Sequence, residues 1–399
     1  MQIRFISILA LLALGVACGG GSSHNNSTTA PVASGSNVQP ITVNGGPEGN
    51  YANGVFTSVT VCVPATSSCQ TIDSVLVDTG SYGLRLLSSA GGGPLTLSLP
   101  QQSGPTGNPV GECAPFVSGF TWGPVKAADI KMASEVASNV PVQIVDPTFS
   151  AVPSACKDSG VPENDTLPTL GANGILGIGP YAQDCGGACE QTGNANPSLY
   201  YECVSATCQV ISESTAQQVQ NPVALFSKDN NGVIVELPSV PSPAASLSGA
   251  IVFGIGTEAN NALGSATIFP LNASGEFSTT YKGQSYPAFV DSGSNGLFFL
   301  DETVTDIPAC SDNSSFYCPS STTNSSAVTL SGSTSATIDF TVVSADSLFS
   351  HSADFVFGTL AGPNPGTFDW GLPFFFGRNV YTAIESRSTP GGPGPYWAY

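Results

Sequence analysis

Residues 75–87 read Val75-Leu76-Val77-Asp78-Thr79-Gly80-Ser81-Tyr82-Gly83-Leu84-Arg85-Leu86-Leu87, and this pattern decides the fold. Residues 288–300 repeat it as Ala288-Phe289-Val290-Asp291-Ser292-Gly293-Ser294-Asn295-Gly296-Leu297-Phe298-Phe299-Leu300. The two aspartates are 213 positions apart (291 minus 78), the spacing that two domain-sized units would give. One such turn is weak evidence, because Asp, Ser, Thr and Gly are ordinary turn residues. Two copies, each between apolar runs, indicate an internal duplication.

The duplicated turn has a chemical implication, because each copy places a carboxylate directly after a predicted strand. The glycine beside each carboxylate allows two such turns to approach closely. Two carboxylates within hydrogen-bond reach share a proton, so one acts as general base on water and the other as general acid. The pattern therefore predicts peptide-bond hydrolysis by Asp78 and Asp291. The alternative is a pair of unrelated β-turns in which Asp is only a turn former.

The composition of the whole chain is typical of a two-lobed β-protein. The chain has 399 residues, of which 9% are charged, and its short Val, Thr, Ile and Phe runs are interrupted by Gly, Pro, Asn and Ser. Residues 212–228 are the best helix candidate, although Pro222 interrupts them. The Cys-rich residues 182–209 and the Ser/Thr/Asn-rich residues 311–336 are predicted to be loops.

Charge and histidine content narrow the classes of function. The formal net charge of -19 argues against nucleic-acid binding, which needs a basic surface, and fits an exported protein that is kept soluble by repulsion. The histidines are His24, in a polar N-terminal stretch, and His351, which we expect at the surface. A Ser-His-Asp or Cys-His site would lack a base, and no metal-ligand pattern is present. We therefore expect neither a metal nor a cofactor.

The N-terminus predicts export. Arg4 precedes an apolar run from Phe5 to Val16 that is too short to span a bilayer and is typical of a signal peptide. The run ends in Leu14-Gly15-Val16-Ala17-Cys18, which resembles a bacterial lipoprotein signal with Cys18 as the lipidated residue. The alternative is secretion without lipidation. The predicted organisation is a signal peptide (1–18), a flexible tether (19–40), an N-terminal lobe with Asp78 (41–256) and a C-terminal lobe with Asp291 (257–399).

The cysteines fit an oxidising compartment. The chain has 11 cysteines, and removing Cys18 leaves 10, an even number that suits disulfides. One group of four has a spacing that loosely resembles a zinc site, but without a nearby histidine we favour disulfides there too. That group of four is Cys185, Cys189, Cys203 and Cys208. Two further pairs, Cys62/Cys69 and Cys310/Cys318, are close enough in sequence to form local disulfides, and Cys113 and Cys156 remain. Apart from the two close pairs, the sequence does not fix the connectivity.

At the duplicated turns the chain resembles the pepsin-like aspartic peptidases, and further motifs extend the resemblance. Residues 173–179 (Asn-Gly-Ile-Leu-Gly-Ile-Gly) are similar to the family's first-lobe signature, in which apolar residues and a glycine pack beside the catalytic turn. Residues 250–256 are similar to the strand that ends the first lobe, and residues 369–384 to the second-lobe signature with its closing strand. The motifs follow the family order over about residues 50 to 385, which implies a mainly β, two-lobed acid-protease fold.

The resemblance assigns a role to each residue of the two turns. It implies that the turns come together, that hydroxyl groups brace them, and that further hydroxyls orient the outer carboxylate oxygens. The implied roles are catalysis for Asp78 and Asp291, cross-bracing for Thr79 and Ser292, carboxylate support for Ser81 and Ser294, and close approach for Gly80 and Gly293.

The chain departs from the family pattern around the catalytic pair. Tyr82 and Asn295 stand where the family often has a small residue. Family members carry a hairpin flap whose Tyr covers the substrate, and the best alignment places Phe116 at that position, with Trp122 as the replacement hydrogen-bond donor. Asp369 falls at a usually apolar position, so we expect a third carboxylate near the pair.

We therefore expect a monomeric envelope peptidase that acts on a peptide or protein without a cofactor. The chain also resembles an uncharacterised group of bacterial lipoproteins, which implies an outer-membrane lipid anchor at Cys18. The alternative function is a catalytically weak or inactive pepsin-fold lipoprotein that binds a peptide or protein ligand in the cleft between the lobes.

Overall fold

The computed structural model describes residues 33–157 and 160–399. The predicted signal peptide, the predicted lipidation site Cys18 and the predicted tether up to residue 32 lie outside the described residues. The first strand, β1 (Val38–Asn44), pairs with residues 247–252, so the folded part begins before the predicted end of the tether at residue 40.

Strands make up most of the described structure. The N-terminal half contains β1, β2 (Gly54–Cys62), β3 (Cys69–Asp78), β4 (Tyr82–Leu87), β5 (Val110–Pro115), β6 (Phe120–Met132), β7 (Glu135–Val145), β8 (Gly174–Ile178), β9 (Tyr200–Val204), β10 (Thr207–Val210), β11 (Gly232–Leu237) and β12 (Leu247–Phe253). The C-terminal half contains β13 (Ile268–Pro270), β14 (Phe277–Tyr281), β15 (Gln284–Val290), β16 (Leu297–Leu300), β17 (Thr323–Ser331), β18 (Thr334–Val342), β19 (Ala361–Gly362), β20 (Asn364–Trp370), β21 (Arg378–Ala383), β22 (Ser388–Thr389), β23 (Gly392–Pro393) and β24 (Tyr396–Ala398).

Helices are short throughout the described ranges. The α-helices are α1 (Ser154–Lys157), α2 (Leu167–Leu170), α3 (Glu302–Thr305) and α4 (Ala345–Phe349). Single 3₁₀ turns occur at Ser89–Gly91, Gly186–Ala188, Gly193–Ala195, Pro222–Leu225 and Leu372–Phe374. None of the helices in the described part of the chain has the length and apolar character needed to cross a membrane.

Two large sheets form the two lobes. The larger has the strand order β10-β9-β5-β6-β7-β4-β8-β3-β2-β1-β12-β11-β21-β24-β13, and the smaller has the order β18-β17-β14-β15-β20-β16-β19. The larger sheet includes β21 and β24 from the end of the chain, which pair with β11 and with each other. The C-terminal residues therefore join the sheet of the first lobe, and the mainly β two-lobed fold predicted from the sequence is confirmed.

The internal duplication has a structural counterpart around the two aspartates. In the first lobe β8 lies between β3, with which it is parallel, and β4, with which it is antiparallel. In the second lobe β20 lies in the same way between β15 and β16. The register places Gly177 opposite both Asp78 and Gly83. The motif predicted to pack beside the first turn therefore lies directly against it.

One continuous apolar core extends beneath both lobes and includes the residues that precede the two turns. It contains Val77 and Val290, the residues that precede the two aspartates, and both are completely buried. In the second lobe the rings of Phe299, Phe368 and Trp370 stack in series, with centroid separations of 5.2 and 5.4 Å. Aromatic packing of this kind adds to the free energy gained by burying apolar area, so it stabilises β16 and β20, and β20 pairs with the strand β15 that precedes Asp291.

Two sequence-based assignments of secondary structure are wrong in part. Residues 212–228 form no α-helix; they contain only the 3₁₀ turn at Pro222–Leu225, because the Asn221 side chain accepts from the Val223 N–H and proline occupies the first position of the turn. The stretches predicted as loops also contain strands. Residues 182–209 include β9 and the start of β10, and residues 311–336 include β17, where alternating Thr, Val and Leu residues suit a pleated strand.

Disulfides are present as predicted, and the structure supplies the connectivity that the sequence left open. The group of four cysteines forms two local pairs, not a zinc site. One bond ties the flap strand β5 to α1 across 43 residues of sequence. The pairs are Cys62–Cys69, Cys113–Cys156, Cys185–Cys189, Cys203–Cys208 and Cys310–Cys318.

The length of the closed loop predicts how much each disulfide stabilises the fold. Replacing both Cys113 and Cys156 by Ser opens a loop with a sequence separation of 43 and is expected to cost about 4 kcal/mol of unfolding free energy. The matched control, Ser at both Cys185 and Cys189, opens a separation of 4 and should cost about 2 kcal/mol. Urea unfolding of the oxidised proteins measures both losses. Equal losses would contradict the loop-length explanation.

Candidate active site

The two duplicated turns meet at the contact between the lobes. Asp78 is the last residue of β3, and Asp291 follows the last residue of β15. Both side chains have 0% exposure, and their carboxyl groups form a hydrogen bond with each other. The fold therefore brings together the two residues that the sequence singled out, although they are 213 positions apart (291 minus 78).

Reciprocal hydrogen bonds lock the two turns together. The Thr79 N–H donates to Ser292 Oγ at 3.1 Å, and the Ser292 N–H donates to Thr79 Oγ1 at 2.9 Å. Each hydroxyl then donates to a carbonyl of the opposite lobe, Thr79 Oγ1 to Val290 at 3.2 Å and Ser292 Oγ to Val77 at 2.8 Å. Since all these groups are buried, the four bonds fix the separation of the two aspartates.

Glycine is required at the closest approach of the turns. A Cβ atom on Gly80 would overlap the Asp291 carboxyl group, and a Cβ atom on Gly293 would lie 2.8 Å from Asp78 Oδ1. Any larger residue would therefore push the carboxyl groups apart. Space, rather than backbone conformation, explains both glycines.

Each carboxyl group is oriented by its own turn. Asp78 Oδ1 accepts from the Gly80 N–H at 2.8 Å, and Asp78 Oδ2 accepts from the Ser81 hydroxyl. In the second lobe Asp291 Oδ1 accepts from the Gly293 N–H at 2.8 Å, and Ser294 Oγ lies 2.9 Å from Asp291 Oδ2. The structure thus places Ser81 and Ser294 where the family resemblance implies.

The two aspartates differ in their electrostatic surroundings. Burial raises the pKa of Asp78, while hydrogen bonds from Asp291, Ser81 and Gly80 and the charge of Arg85 oppose that rise. Burial also raises the pKa of Asp291, and there the charges of Asp78 and Asp369 add to the effect, so it lies well above its usual range. These surroundings favour the protonated form at Asp291 and the ionised form at Asp78.

Arg85 is a site residue that the sequence reasoning did not assign, although it lies in the quoted motif. It is almost fully buried, and Nη2 contacts Glu112 Oε1 at 2.5 Å and Asp184 Oδ2 at 3.1 Å. The Tyr200 hydroxyl donates to Asp184, whose pKa lies well above its usual range because of burial and the nearby Glu112. This buried network (Arg85, Glu112, Asp184 and Tyr200) connects the strand that follows the Asp78 turn to the flap strand β5.

Strands β5 and β6 form the predicted hairpin flap, but its residues are arranged differently from the expectation. Phe116 packs into the apolar cluster of the first lobe, with the Arg85 guanidinium 5.6 Å from its ring centroid. The prediction that Trp122 replaces the flap hydrogen bond is wrong, because its indole N–H donates to the Ser150 carbonyl at 3.2 Å within a separate buried cluster. Val117, at the turn of the hairpin, is the flap residue that faces the cleft.

A cavity of about 310 Å³ lies between the flap and the second lobe, next to Asp291. Val117 closes one side, and Phe289 and Phe298 supply apolar walls. Asp369 and Ser294 also line the cavity. The expected third carboxylate is therefore present at the pair, since Ser294 Oγ lies 2.6 Å from Asp369 Oδ2.

Tyr51 and Tyr82 complete the surroundings of the pair. The pKa of the buried Tyr51 is raised by burial and by the charges of Asp78 and Asp291. Burial, the neighbouring Tyr181 and the same two charges raise the pKa of Tyr82. Both phenols therefore stay protonated. Tyr51 belongs to no recognisable sequence motif. It lies near the pair because it is in the loop between β1 and β2.

Among the described residues, one group of side chains has the spacing that could hold a metal ion, and it does not include the paired aspartates. The group contains Cys310, Cys318 and Asp346, but the two cysteines form a disulfide and are not available as ligands. The other candidate base, His351, is exposed at the surface, as expected from the sequence.

The fold and the paired turns define a class of protein, the two-lobed pepsin-like fold. The chain is similar to a solved structure titled "Crystal structure of aspartic proteinase from Irpex lacteus", with a TM-score of 0.51, 14% sequence identity, and coverage of 90% of this chain and 96% of that chain. At this identity the similarity establishes the fold alone. No curated protein sequence matches the chain. Residues 33–399 match the family described as "Protein of unknown function (DUF3443)", and the chain belongs to that family.

The reciprocal bonds between the turns predict the effect of losing one hydroxyl. Ser292→Ala leaves the buried Thr79 N–H and Val77 carbonyl without their partners and should cost about 2–4 kcal/mol of unfolding free energy. Ser292→Thr retains a hydroxyl, as the first lobe does at Thr79, and should cost less than half as much. Denaturant unfolding compares the two variants. If both lose the same stability, packing rather than hydrogen bonding controls this position.

Burial of Asp291 predicts a pH-dependent stability. The pKa of this group is raised in the folded state above its value of about 4 in the unfolded chain, so the folded protein binds more protons between these values. The unfolding free energy should therefore fall as pH rises above about 4. Asp291→Asn should remove part of this slope and stabilise the protein at pH 7 by about 1–2 kcal/mol.

Unfolding curves at pH 4 and pH 7 test this expectation. Asp73→Asn is the matched control, because Asp73 lies on β3 but is exposed. It should change neither the slope nor the stability. A destabilised Asp291→Asn protein at pH 7 would show that the ionised carboxylate is favourable in the fold.

Proposed function

We propose that the protein is an aspartic endopeptidase that hydrolyses peptide bonds with a water molecule activated between Asp78 and Asp291. The observation that carries the proposal is the buried, hydrogen-bonded pair of carboxyl groups, braced by Thr79 and Ser292 and placed beneath a flap. A structural role alone does not account for two ionisable groups that raise each other's cost of burial.

The asymmetry of the pair assigns the two roles. Asp78 carries the charge and is the general base that takes a proton from the attacking water. Asp291 holds the proton and is the general acid that protonates the carbonyl oxygen of the scissile bond. This step gives a tetrahedral diol intermediate without a covalent bond to the protein. The C–N bond then breaks as Asp78 gives its proton to the leaving nitrogen and Asp291 takes a proton back from a diol hydroxyl, which yields the acid and the amine.

The cavity beside Asp291 is the proposed binding site for one substrate side chain. Val117 and the walls formed by Phe289 and Phe298 suit an apolar portion, while Glu276 and Asp369 suit hydrogen-bond donors. We propose that the enzyme acts as a monomer on an extended peptide or an exposed protein segment laid across the cleft between the lobes.

We further propose that this protein is exported to the cell envelope. It is held at the outer membrane by a lipid on Cys18, or it is secreted if Cys18 is not lipidated. Support comes from the five disulfides, which pair every cysteine among the described residues. Cys18 is then the one cysteine of the sequence that lies outside these pairs.

A second candidate function is supported by the flap. Phe116 is directed into the lobe and cannot supply the hydroxyl that the family's flap tyrosine supplies, and Val117 presents only an apolar surface to the cleft. A protein that binds a peptide in this cleft but does not cut it would need only those contacts. The two candidates differ in the fate of a bound peptide.

The test incubates the soluble chain without residues 1–18 with a peptide library from pH 3 to pH 8. Asp78→Asn and Asp291→Asn should each lower cleavage at least about 100-fold, because each removes one partner of the acid–base pair. Since burial raises the pKa of both groups, we expect activity to extend above pH 4 and to fall when the pair loses its shared proton.

Asp73→Asn is again the control and should cleave like the wild type. Mass spectrometry of the products identifies the cut bonds, and calorimetry measures binding by the inactive variants. Absence of cleavage by the wild type at every pH, with peptide binding retained in both variants, would reject the peptidase and support the binding protein.

A further inference from the structure

The cavity beside Asp291 has two acidic residues on its lining, Asp369 and Glu276, and none of the described residues that line it is basic. Its volume of about 310 Å³ is at the low end of the range for ligand pockets, about 300–1,000 Å³. It therefore suits one side chain of a substrate rather than a large ligand. The groups on the lining indicate which kind of side chain that is.

Strand β20 presents Asp369 and Thr367 to this cavity. These residues are two positions apart, so their side chains leave the strand on the same side, whereas Phe368 between them is completely buried in the core. Ser294 Oγ lies 2.6 Å from Asp369 Oδ2 and 2.9 Å from Asp291 Oδ2. A group bound at Asp369 is therefore held next to the catalytic pair.

The Thr367 hydroxyl adds an acceptor to the same part of the lining. Its oxygen is buried, and no described residue forms a hydrogen bond with it. A buried polar atom without a partner costs free energy, so a donor that enters the cavity is stabilised there. The carboxylates and this hydroxyl together suit a ligand with several N–H donors.

A tight turn before β14 fixes the position of the second acid, Glu276. Its N–H donates to Asn272 Oδ1 at 2.9 Å, and its carbonyl accepts from the Asn272 N–H at 2.8 Å. Gly275 has a φ of 77°, and a Cβ atom there would lie 3.0 Å from the Tyr181 ring of the first lobe. The half-buried Glu276 carboxylate has a long contact of 3.4 Å with Asn272 Nδ2. A stronger donor in the cavity can therefore engage it.

The other walls of the cavity are apolar, and they are formed by Val117, Phe289 and Phe298. Lysine and arginine combine an apolar stem with a cationic head, and aromatic rings also attract cations. A wholly apolar side chain would cover the two carboxylates and supply no donor to them, and an acidic side chain would be repelled. A basic side chain satisfies both parts of the lining.

Charges elsewhere in the protein leave the cavity negative. Arg85, the buried cation near the pair, is held in an ion-paired network of the first lobe. The charge of Asp369 is one cause of the raised pKa of Asp291. The net charge of -19 also draws cationic peptides toward the protein. The group of described residues with metal-compatible spacing contains neither Asp369 nor Glu276.

We propose that this cavity is a subsite for a basic side chain, and that Asp369 and Glu276 select peptides that contain arginine or lysine. This inference rests on the proposed function and adds a substrate class to it. The stem of the side chain packs against Phe289 and Phe298, and the head group donates to the two carboxylates and to Thr367 Oγ1.

Matched peptides test the charge preference. Arginine, lysine, citrulline, norleucine or glutamate is placed at each position in turn around the cut bond, and kcat/KM is compared; citrulline has nearly the shape of arginine without its charge. At one fixed position arginine should exceed citrulline, and lysine should exceed norleucine, by at least about tenfold, because charge-assisted hydrogen bonds are the stronger ones. Equal values at every position would overturn the proposal and leave the peptidase standing.

Variants of the two acids test the source of the preference. Asp369→Asn should lower the ratio of arginine to citrulline to less than about threefold, because the amide has no charge. Glu276→Lys should move the preference to glutamate, and it keeps the test open if Asp369→Asn does not fold. Asp73→Asn, on the exposed part of β3, is the control and should keep the wild-type ratio. An unchanged preference in both cavity variants would contradict the proposal.

Calorimetry distinguishes a failure of this inference from a failure of the peptidase. Asp78→Asn allows the binding of the arginine and citrulline peptides to be measured without cleavage. The arginine peptide should bind at least about tenfold more tightly. Equal binding would reject the basic subsite. Selective binding by a wild type that cuts neither peptide would retain the subsite and reject only the peptidase.

Discussion

The reciprocal hydrogen bonds between Thr79 and Ser292 are the constraint on which the rest of this site depends. They bring the ends of β3 and β15 so close that only glycine fits beside each carboxyl group. Holding two carboxyl groups in a dry contact is unfavourable by itself. The continuous core beneath the turns and the donors around each carboxyl group offset that cost. The fold therefore stabilises a site that would not form from the turns alone.

The two lobes repeat the same strand arrangement, but they do not give the two aspartates the same surroundings. The first lobe places Arg85 near Asp78, and the second places Asp369 near Asp291. A positive neighbour favours an ionised carboxylate, and a carboxyl neighbour favours a protonated one. The duplicated backbone thus yields two aspartates whose electrostatic surroundings differ in sign. Arg85 occupies a position of the repeated motif at which the second copy has Phe298, and Asp369 lies outside the motif.

Sequence reasoning reached the fold and the central pair because their signals are local. Each turn can be recognised from a few consecutive residues, and Gly177 of the first-lobe signature (residues 173–179) lies opposite Asp78 in the register. The Arg85 network and Tyr51 could not be found this way, since their partners come from distant strands and loops. Trp122 was misassigned for the same reason. Its partner, Ser150, lies on a loop whose course no motif indicates.

The failed helix prediction shows a different limit. Residues 212–228 have helix-compatible polar residues, but Gln218 donates to the carbonyls of Gly186 and Glu213, and Asn221 donates to the carbonyl of Gly179. These amides therefore satisfy backbone carbonyls of the loops that follow β8. Their bonds compete with a helix, and this competition depends on tertiary contacts rather than on propensity.

The flap gives the last step of this reasoning. Arg85 follows the first catalytic turn, contacts Glu112 on β5 and lies against the Phe116 ring at the flap turn. The same side chain lowers the pKa of Asp78 against the effect of burial. The position of the flap strand and the pKa of Asp78 are therefore linked through one buried cation. Arg85 reaches this pair from the buried interior of the first lobe, whereas Val117 is a flap residue that lines the cavity on the other side.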